Sequence, residues 1–427
     1  MNFLHLSAAD HGGAGIAARR LHDGVRTHGH QSRMLVLDKR TQDADVFVLP
    51  GPRHLFLARR FASKASLKFL ADDDYYFQDQ SLSPVISPAR VLDQIGLKPD
   101  VIVVNFISHF LSFLDVLALH QATGAPVVWH LLDMSAMTGG CHYAWACEGY
   151  QRHCGRCPAL RFSHKNDRSA SIFKEKAAAL SSMRSIVVAG SSMLHRQAAG
   201  SNLFSMLQIT TLLLGVSPDA FSPCDQMAQR REFGLQGEGP VIFFGAQRFG
   251  QRRKGMRLLL DALQKLAADW PAGKARPMLL LAGDATDFPD LTPLGLECQR
   301  LGFIDTATLA RAYAAADVFA CPSSEDSGPM MINESMMCGT PVVAFRMGVA
   351  EDLIDTDVTG MIVPLGKVPE FSAALAQVLR WDEQQRNRAR SNCRRVALQR
   401  CSVDNQVGRF VEISQALVVE APATRHS

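Results

Sequence analysis

Apolar residues in this chain fall into short unbroken runs, separated by stretches in which they recur with helical spacing. The runs at 1–8 ("MNFLHLSA"), 32–38 ("SRMLVLD"), 100–106 ("DVIVVNF"), 125–131 ("APVVWHL") and 184–192 ("RSIVVAGSS") lack the alternation of a half-solvated strand. Such runs predict parallel strands covered on both faces. "HGGAG" (11–15) reads as a turn and 16–28 as a helix, so the chain opens as β-loop-α-β. The pattern then restarts. "GPVIFFGAQRF" (239–249), "PMLLLAGDA" (277–285), "DVFACPS" (317–323) and "PVVAFRM" (341–347) are strands, with helices expected over 254–270, 306–316 and about 330–338. Two blocks of alternating strand and helix predict an α/β protein of two doubly wound, Rossmann-like domains facing across a cleft. The expected division is 1–211, 212–400 and a C-terminal helix in 401–427 that packs back toward the first domain. The Pro- and Ser-bearing "LLLGVSPDAFSPCDQ" (212–226) is the connector.

Composition narrows the setting. Of 427 residues, 47% are hydrophobic and 20% charged. No uninterrupted apolar run reaches the length of about 18 residues that a spanning helix needs. The start has no basic segment ahead of an apolar core, so a cytoplasmic protein is expected. A net charge of +4 does not argue for nucleic acid. One stretch does concentrate cations: Arg53, Arg60, Lys64 and Lys68 share a sector of a helical wheel within 53–70. It reads either as a solvated helix face or as a peripheral contact with an anionic membrane surface.

Candidate chemistry gathers in the second block. Arg248 follows its first strand and Lys254 precedes its first helix, in "RFGQRRKG". Cations beside the positive end of a helix dipole suit a diphosphate. "CPSSEDSGPMMINESMMCGTPVVAF" (321–345) then sets an acidic loop before a helix. Backbone amides over the stretch Gly328, Pro329, Met330 and Met331, where Pro329 itself has no N–H, would meet a ligand at the helix start, and Glu334 stands about one turn inside. Glu334 can also be read as merely pairing with the helix dipole.

These blocks, with "DLIDTDVTGMIVPL" (352–365) downstream and "GGAGIAARRLHDGVRTHGHQSRMLVL" (12–37) upstream, resemble the family 4 retaining glycosyltransferases of GT-B type. The resemblance implies that Glu334 binds the donor ribose. It implies that Arg248 and Lys254 neutralise the departing diphosphate, and that Gly13 and Gly15 approach the phosphates and the acceptor. Phe303 lies where the nucleobase packs. The family's sugar-facing acid stands seven residues before the ribose ligand, which is Asp326 here, with Glu325 one place out of register. "VVWHLLDMSAMTGGCHYAWACEGYQRHCGRCP" (127–158) resembles a subgroup acting on bacterial surface polysaccharides. Many of its members have His-Asp where this chain has Leu132-Asp133. Either His130, two places earlier, replaces that imidazole, or Asp133 orients the acceptor alone.

The same stretch holds Cys141, Cys147, Cys154 and Cys157, with His142 and His153 between them. A C-x2-C pair and enough ligands allow a structural zinc site. Free thiols packing a loop and a disulfide are the other readings, the last disfavoured in a reducing compartment.

The resemblance implies metal-independent, retaining transfer, with a nucleoside-diphosphate sugar as substrate and no cofactor required. A lipid-linked or growing saccharide would be the acceptor, at the inner face of the membrane. Asp-x-Asp matches at Asp72–Asp74 and Asp355–Asp357 are read as solvated loops. An epimerase or inverting transferase on the same scaffold, or a degenerate homologue serving as a scaffold partner, are the alternatives.

Overall fold

The computed structural model describes residues 1–49, 71–78, 86–284 and 288–419. Its contacts divide the chain into two units, Met1–Leu213 with Gln406–Ser427, and Leu214–Asn405. The basic stretch 53–70 lies outside the described residues. Among those described, no helix is long and apolar enough to cross a membrane.

The first unit is built on seven strands: β1 (Asn2–Ser7), β2 (Gln31–Val36), β3 (Val46–Val48), β4 (Val101–Phe106), β5 (Val127–Leu131), β6 (Ser185–Ala189) and β7 (Ile209–Thr211). They are ordered β3-β2-β1-β4-β5-β6-β7, and every pairing is parallel. The second unit repeats the scheme with β8 (Val241–Ala246), β9 (Met278–Gly283), β10 (Cys298–Arg300), β11 (Val318–Cys321), β12 (Val342–Phe345) and β13 (Gly360–Val363). Their order is β10-β9-β8-β11-β12-β13, again all parallel. The central strands are buried along nearly their whole length, in keeping with their uninterrupted apolar runs.

Both sheets reverse direction of growth at one place, between β1 and β4 and between β8 and β11. In open parallel sheets, ligands bind beyond the carboxyl ends of the strands flanking this reversal. The loops after β1, β4, β8 and β11 are therefore where chemistry is expected.

Two expectations need correction. The stretch 11–15 is not a turn ahead of a helix: helix α1 spans Gly12–Thr27 and begins inside it. Small residues allow this, because a Cβ on Gly15 would stand 2.7 Å from the Ala9 carbonyl oxygen. The four strands that the apolar pattern did not single out, β3, β7, β10 and β13, all lie at sheet edges. They are three or four residues long and mostly half-buried, which is how sheets blunt an exposed edge.

Helix α2 (Arg168–Leu180) belongs to the first unit, α3 (Met256–Asp269) and α4 (Met330–Met337) to the second. The C-terminal helix α5 (Val403–Val419) contributes Phe410, which packs on Phe3 of β1 with ring centroids 5.9 Å apart.

Candidate functional site

In the second unit two loops are tied together. After β8 the chain passes Arg248 and makes a short helical turn over Arg252–Lys254 before α3. After β11 it runs through 322–329 into α4. The amide of Ser324 donates to the Arg253 carbonyl at 2.8 Å, joining the two segments. Gly255, with φ of 71°, is obligatory where they cross, since a Cβ there would fall 1.9 Å from the Pro322 carbonyl oxygen.

This junction brings charges together. Lys254 Nζ donates to Asp326 Oδ2 at 2.6 Å, and Arg253 Nη1 reaches the same oxygen at 3.0 Å. Burial alone would raise the Asp326 carboxyl, but the cations of Lys254 and Arg253 hold it below the usual range. Glu325, beside it, is pushed up to about 7, first by burial and then by the Asp326 charge, with Arg253 opposing. The two acids thus differ in protonation near neutrality. Asp326 is the anchored anion, and Glu325 is a carboxyl able to donate a hydrogen bond.

The N-cap of α4 is Pro329, whose side chain has no group to cap the helix. Gly348, with φ of 57°, supports that start from behind: a Cβ would meet Pro329 Cδ at 2.8 Å and the Asp326 carbonyl oxygen at 3.0 Å. Glu334 lies buried in α4, with the Tyr313 hydroxyl 3.4 Å from its Oε2. Of the residues expected here, Lys254, Glu325, Asp326, Gly328 and Pro329 cluster at the loop junction. Arg248 is exposed on the same loop, outside the ion-paired group. Met330 and Met331 open the helix, and Phe303 is 77% exposed on the segment after β10.

The first unit has its own site at its own reversal. Gly12, Gly13 and Gly15 line a cavity of about 260 Å³ together with His11, Asp38 and Ser108. Burial would raise the Asp10 carboxyl, but hydrogen bonds from Thr41 and the Arg40 amide hold it at about 2. It bonds in turn to His11 Nδ1 at 3.2 Å.

Asp133 follows β5, and its Oδ2 is 2.7 Å from His142 Nδ1 while Oδ1 accepts from the Ser135 amide at 2.7 Å. Burial pushes the Asp133 carboxyl up, yet the His142 charge and the hydrogen bonds bring it below the ordinary value. An ionised carboxylate only accepts, so Nδ1 carries the hydrogen, and Nε2 lies 3.0 Å from the Ser108 hydroxyl. Hydrolases use the same three side chain types, but there the serine stands open to attack a carbonyl. Ser108 is 1% exposed, so the relay orients a hydroxyl at the cavity wall.

His130 is not the imidazole beside Asp133. It lies in the middle of β5, wholly buried, with Nδ1 bonded to Asn105 Oδ1 at 2.8 Å and its ring against Phe410. Burial pushes its pKa down to about 4. The partner of Asp133 is His142, from the "TGGCH" segment, which sequence reasoning grouped only with the cysteines. Arg253 and Ser108 were also missed. Arg253 was visible as the third cation of "RFGQRRKG"; a lone serine after an apolar strand carries no comparable signal.

The four cysteines 141, 147, 154 and 157 line one small cavity in this unit, and all ten cysteines of the chain are free thiols.

Comparison with known proteins fits this arrangement. Both units are parallel-sheet α/β folds of Rossmann type, the construction of GT-B glycosyltransferases, and residues 239–380 match the model of the family described as Glycosyl transferases group 1. That segment, a third of the chain, contains Arg248, Lys254, Asp326 and Glu334. A D-inositol 3-phosphate glycosyltransferase of Mycobacteroides abscessus is 32% identical over 169 residues, 39% of this chain and 38% of that protein. The chain spans less than half the length of the curated relatives it matches. Among solved structures, Anabaena Alr3699/HepE in complex with UDP-glucose superimposes with a TM-score of 0.65 at 18% identity, covering 97% of this chain and 100% of that one. WaaG, a glycosyltransferase involved in lipopolysaccharide biosynthesis, gives 0.63 at 13% identity, covering 96% and 99%.

Proposed function

We propose that this chain is a metal-independent, retaining glycosyltransferase. It would move a sugar from a nucleoside diphosphate to a hydroxyl of a lipid-linked or growing saccharide in surface polysaccharide synthesis. The observation that carries this reading is the junction of Lys254, Arg253 and Asp326 at the sheet reversal of the second unit, ahead of the start of helix α4. It lies inside the segment of group 1 type.

In the donor-bound state, Lys254 and Arg248 meet the diphosphate, and the amides at the start of α4 face its oxygens. Such fixed donors stabilise the charge that develops on the leaving group without reorganisation. Asp326 holds Lys254 and Arg253 in place before the donor arrives. Glu325, protonated in part at neutral pH, donates to a sugar oxygen, and Glu334 accepts from the ribose hydroxyls. The acceptor hydroxyl enters at the glycine-lined cavity of the first unit, where Ser108, oriented through His142 and Asp133, bonds to it. In a retaining transfer of this kind, a leaving-group oxygen takes the acceptor's proton.

Support for the donor class comes from the Anabaena neighbour, which binds UDP-glucose, and support for the pathway from the lipopolysaccharide enzyme and from the Thr138–His142 segment. Incubation with UDP-, GDP- and ADP-sugars, read by thermal shift, tests the donor, because a ligand of the native state raises the melting temperature. Proton NMR of the product's anomeric centre tests retention. An inverted anomer, or sugar interconversion without an acceptor, would replace this reading with one of the alternatives.

A further inference from the structure

We propose that Tyr76, Tyr143 and Trp145 form a saccharide-binding platform on the first unit, holding sugar rings of the acceptor behind the one whose hydroxyl meets Ser108. The platform stands on its own geometry; its service to the acceptor rests on the function proposed above.

The three rings come from two segments, residues 72–78 and 140–159, that are pinned together. The Asp72 amide donates to the Ala159 carbonyl at 2.8 Å, the Gln78 amide to the Gly140 carbonyl at 2.8 Å, and the His142 amide to the Tyr75 carbonyl at 3.1 Å. On this frame Tyr76 meets Tyr143 edge to face, with ring centroids 5.7 Å apart at 87°. Trp145 Nε1 donates to the Asp74 carbonyl at 2.9 Å, which fixes the indole by its polar edge. Tyr76 is 37% exposed, and Tyr143 and Trp145 are half-buried, so none of the three is core. Core residues lie next to them: Phe77, Ala144 and Tyr150 are buried around the cysteine-lined cavity. Among the described residues no three of that cavity's sulfurs lie within 4.8 Å of one another, so the cysteines act as packing rather than as ligands of one ion.

The backbone supplies a second observation. Tyr76 has φ of 48° and ψ of 45°, and Trp145 has φ of 51°. Bulky side chains rarely occupy the left-handed region, and such strain persists where the surroundings impose it, typically at ligand sites. Of the six non-glycine residues with positive φ among those described, four (Tyr76, Trp145, Cys154 and Arg156) lie in the two pinned segments. Position 76 ends a short helical turn, where glycine is the ordinary residue. A tyrosine there lowers stability and sets a ring at the surface.

The chemistry suits a sugar. Tyrosine and tryptophan present an apolar face with a polar group at the edge, which matches the C–H face and hydroxyl rim of a pyranose. Asp72 and Asp73, exposed beside Tyr76 in the chain, add carboxylates that accept from hydroxyls. His142 joins the platform to the cavity. Its ring lies 3.0 Å from the Ser108 hydroxyl, its amide holds Tyr75, and Tyr143 follows it in the chain. The relay and the platform are thus parts of one element.

The test uses the full chain with malto-, isomalto- and xylohexaose and their monosaccharides. Stacking reads ring faces rather than one hydroxyl pattern, so a mixed panel suffices. Saturation-transfer NMR should show ring-proton contact for at least one hexasaccharide, with its monosaccharide at least about tenfold weaker. Tyr76→Gly separates binding from a merely structural role. Glycine suits φ of 48°, so the variant should melt no lower than wild type while hexasaccharide affinity falls at least about tenfold. Trp145→Phe gives an independent reading if that variant fails to fold. Trp129 is wholly buried, so Trp145→Phe should remove the first unit's fluorescence response to the hexasaccharide. No contact by any hexasaccharide at about 5 mM, unchanged affinity in Tyr76→Gly, or an unchanged fluorescence response in Trp145→Phe would each overturn the proposal. So would self-association of the chain that Tyr76→Gly abolishes, which would make these rings an interface between copies. None of these readouts involves a nucleotide sugar, so their failure leaves the transferase reading standing, and failure of donor binding leaves the platform standing.

Discussion

Replacing Glu325 by Gln probes the charge logic of the second unit's loop junction. Glu325 is 7% exposed, and its carboxyl is raised from 4.5 to about 7, first by burial and then by Asp326. A carboxyl whose folded pKa is raised binds its proton more tightly in the native state. Its stabilising effect is complete below pH 4.5 and disappears as pH rises through 7. By the linkage relation, the cost of keeping Glu325 rather than a neutral isostere is small at pH 5 and rises to roughly 3 kcal/mol at pH 8. Glu325→Gln should therefore be more stable than wild type by an amount that grows by roughly 2 to 3 kcal/mol between those pH values. Equilibrium urea unfolding at pH 5, 6, 7 and 8 measures the difference, with the second unit's transition followed at Trp270 and Trp381. A stability difference that stays flat with pH, or shrinks toward pH 8, would refute the buried, proton-holding Glu325.

Asp133→Asn exchanges a carboxylate for an amide that no longer fixes the hydrogen on His142 Nδ1. Glycosyl transfer should fall by roughly 10- to 100-fold and its pH profile should change, while calorimetric donor affinity stays as in wild type. Gly255→Ala places a Cβ 1.9 Å from the Pro322 carbonyl oxygen at a φ of 71°; a loss of more than about 2 kcal/mol is expected by urea unfolding. Gly348→Ala places a Cβ 2.8 Å from Pro329 Cδ, which is bonded to the backbone nitrogen, and 3.0 Å from the Asp326 carbonyl oxygen at a φ of 57°, so it should cost more than about 1 kcal/mol and weaken donor binding through the displaced start of α4.

The central strands of both sheets were legible because each is an apolar run of strand length bounded by turn residues, and such a run has one stable place in a doubly wound fold. The edge strands were not, since β10 (Cys298–Arg300) and β7 (Ile209–Thr211) are short and polar enough to pass for loop. In the candidate donor site, the sequence order of Arg248, Lys254, Asp326 and Glu334 pointed to two loops that the structure ties together. The pairing of Lys254 and Arg253 with Asp326 depends on how those loops cross at Gly255, which no local pattern encodes. His130 misled for a related reason. Proximity along the chain to Asp133 suggested a partnership, but residue 130 is inside β5 and faces α5, while His142 returns to Asp133 through a loop.

The central claim is that the junction of Lys254 and Asp326, with Glu334 behind it, binds a nucleoside-diphosphate sugar. Isothermal titration with UDP and UDP-glucose, or whichever donor the thermal-shift panel selects, measures it directly on wild type, Lys254→Ala and Glu334→Ala. The account predicts saturable binding to wild type and affinity weakened by at least about tenfold, 1.4 kcal/mol, in each folded variant. Equal affinity in all three chains would contradict it.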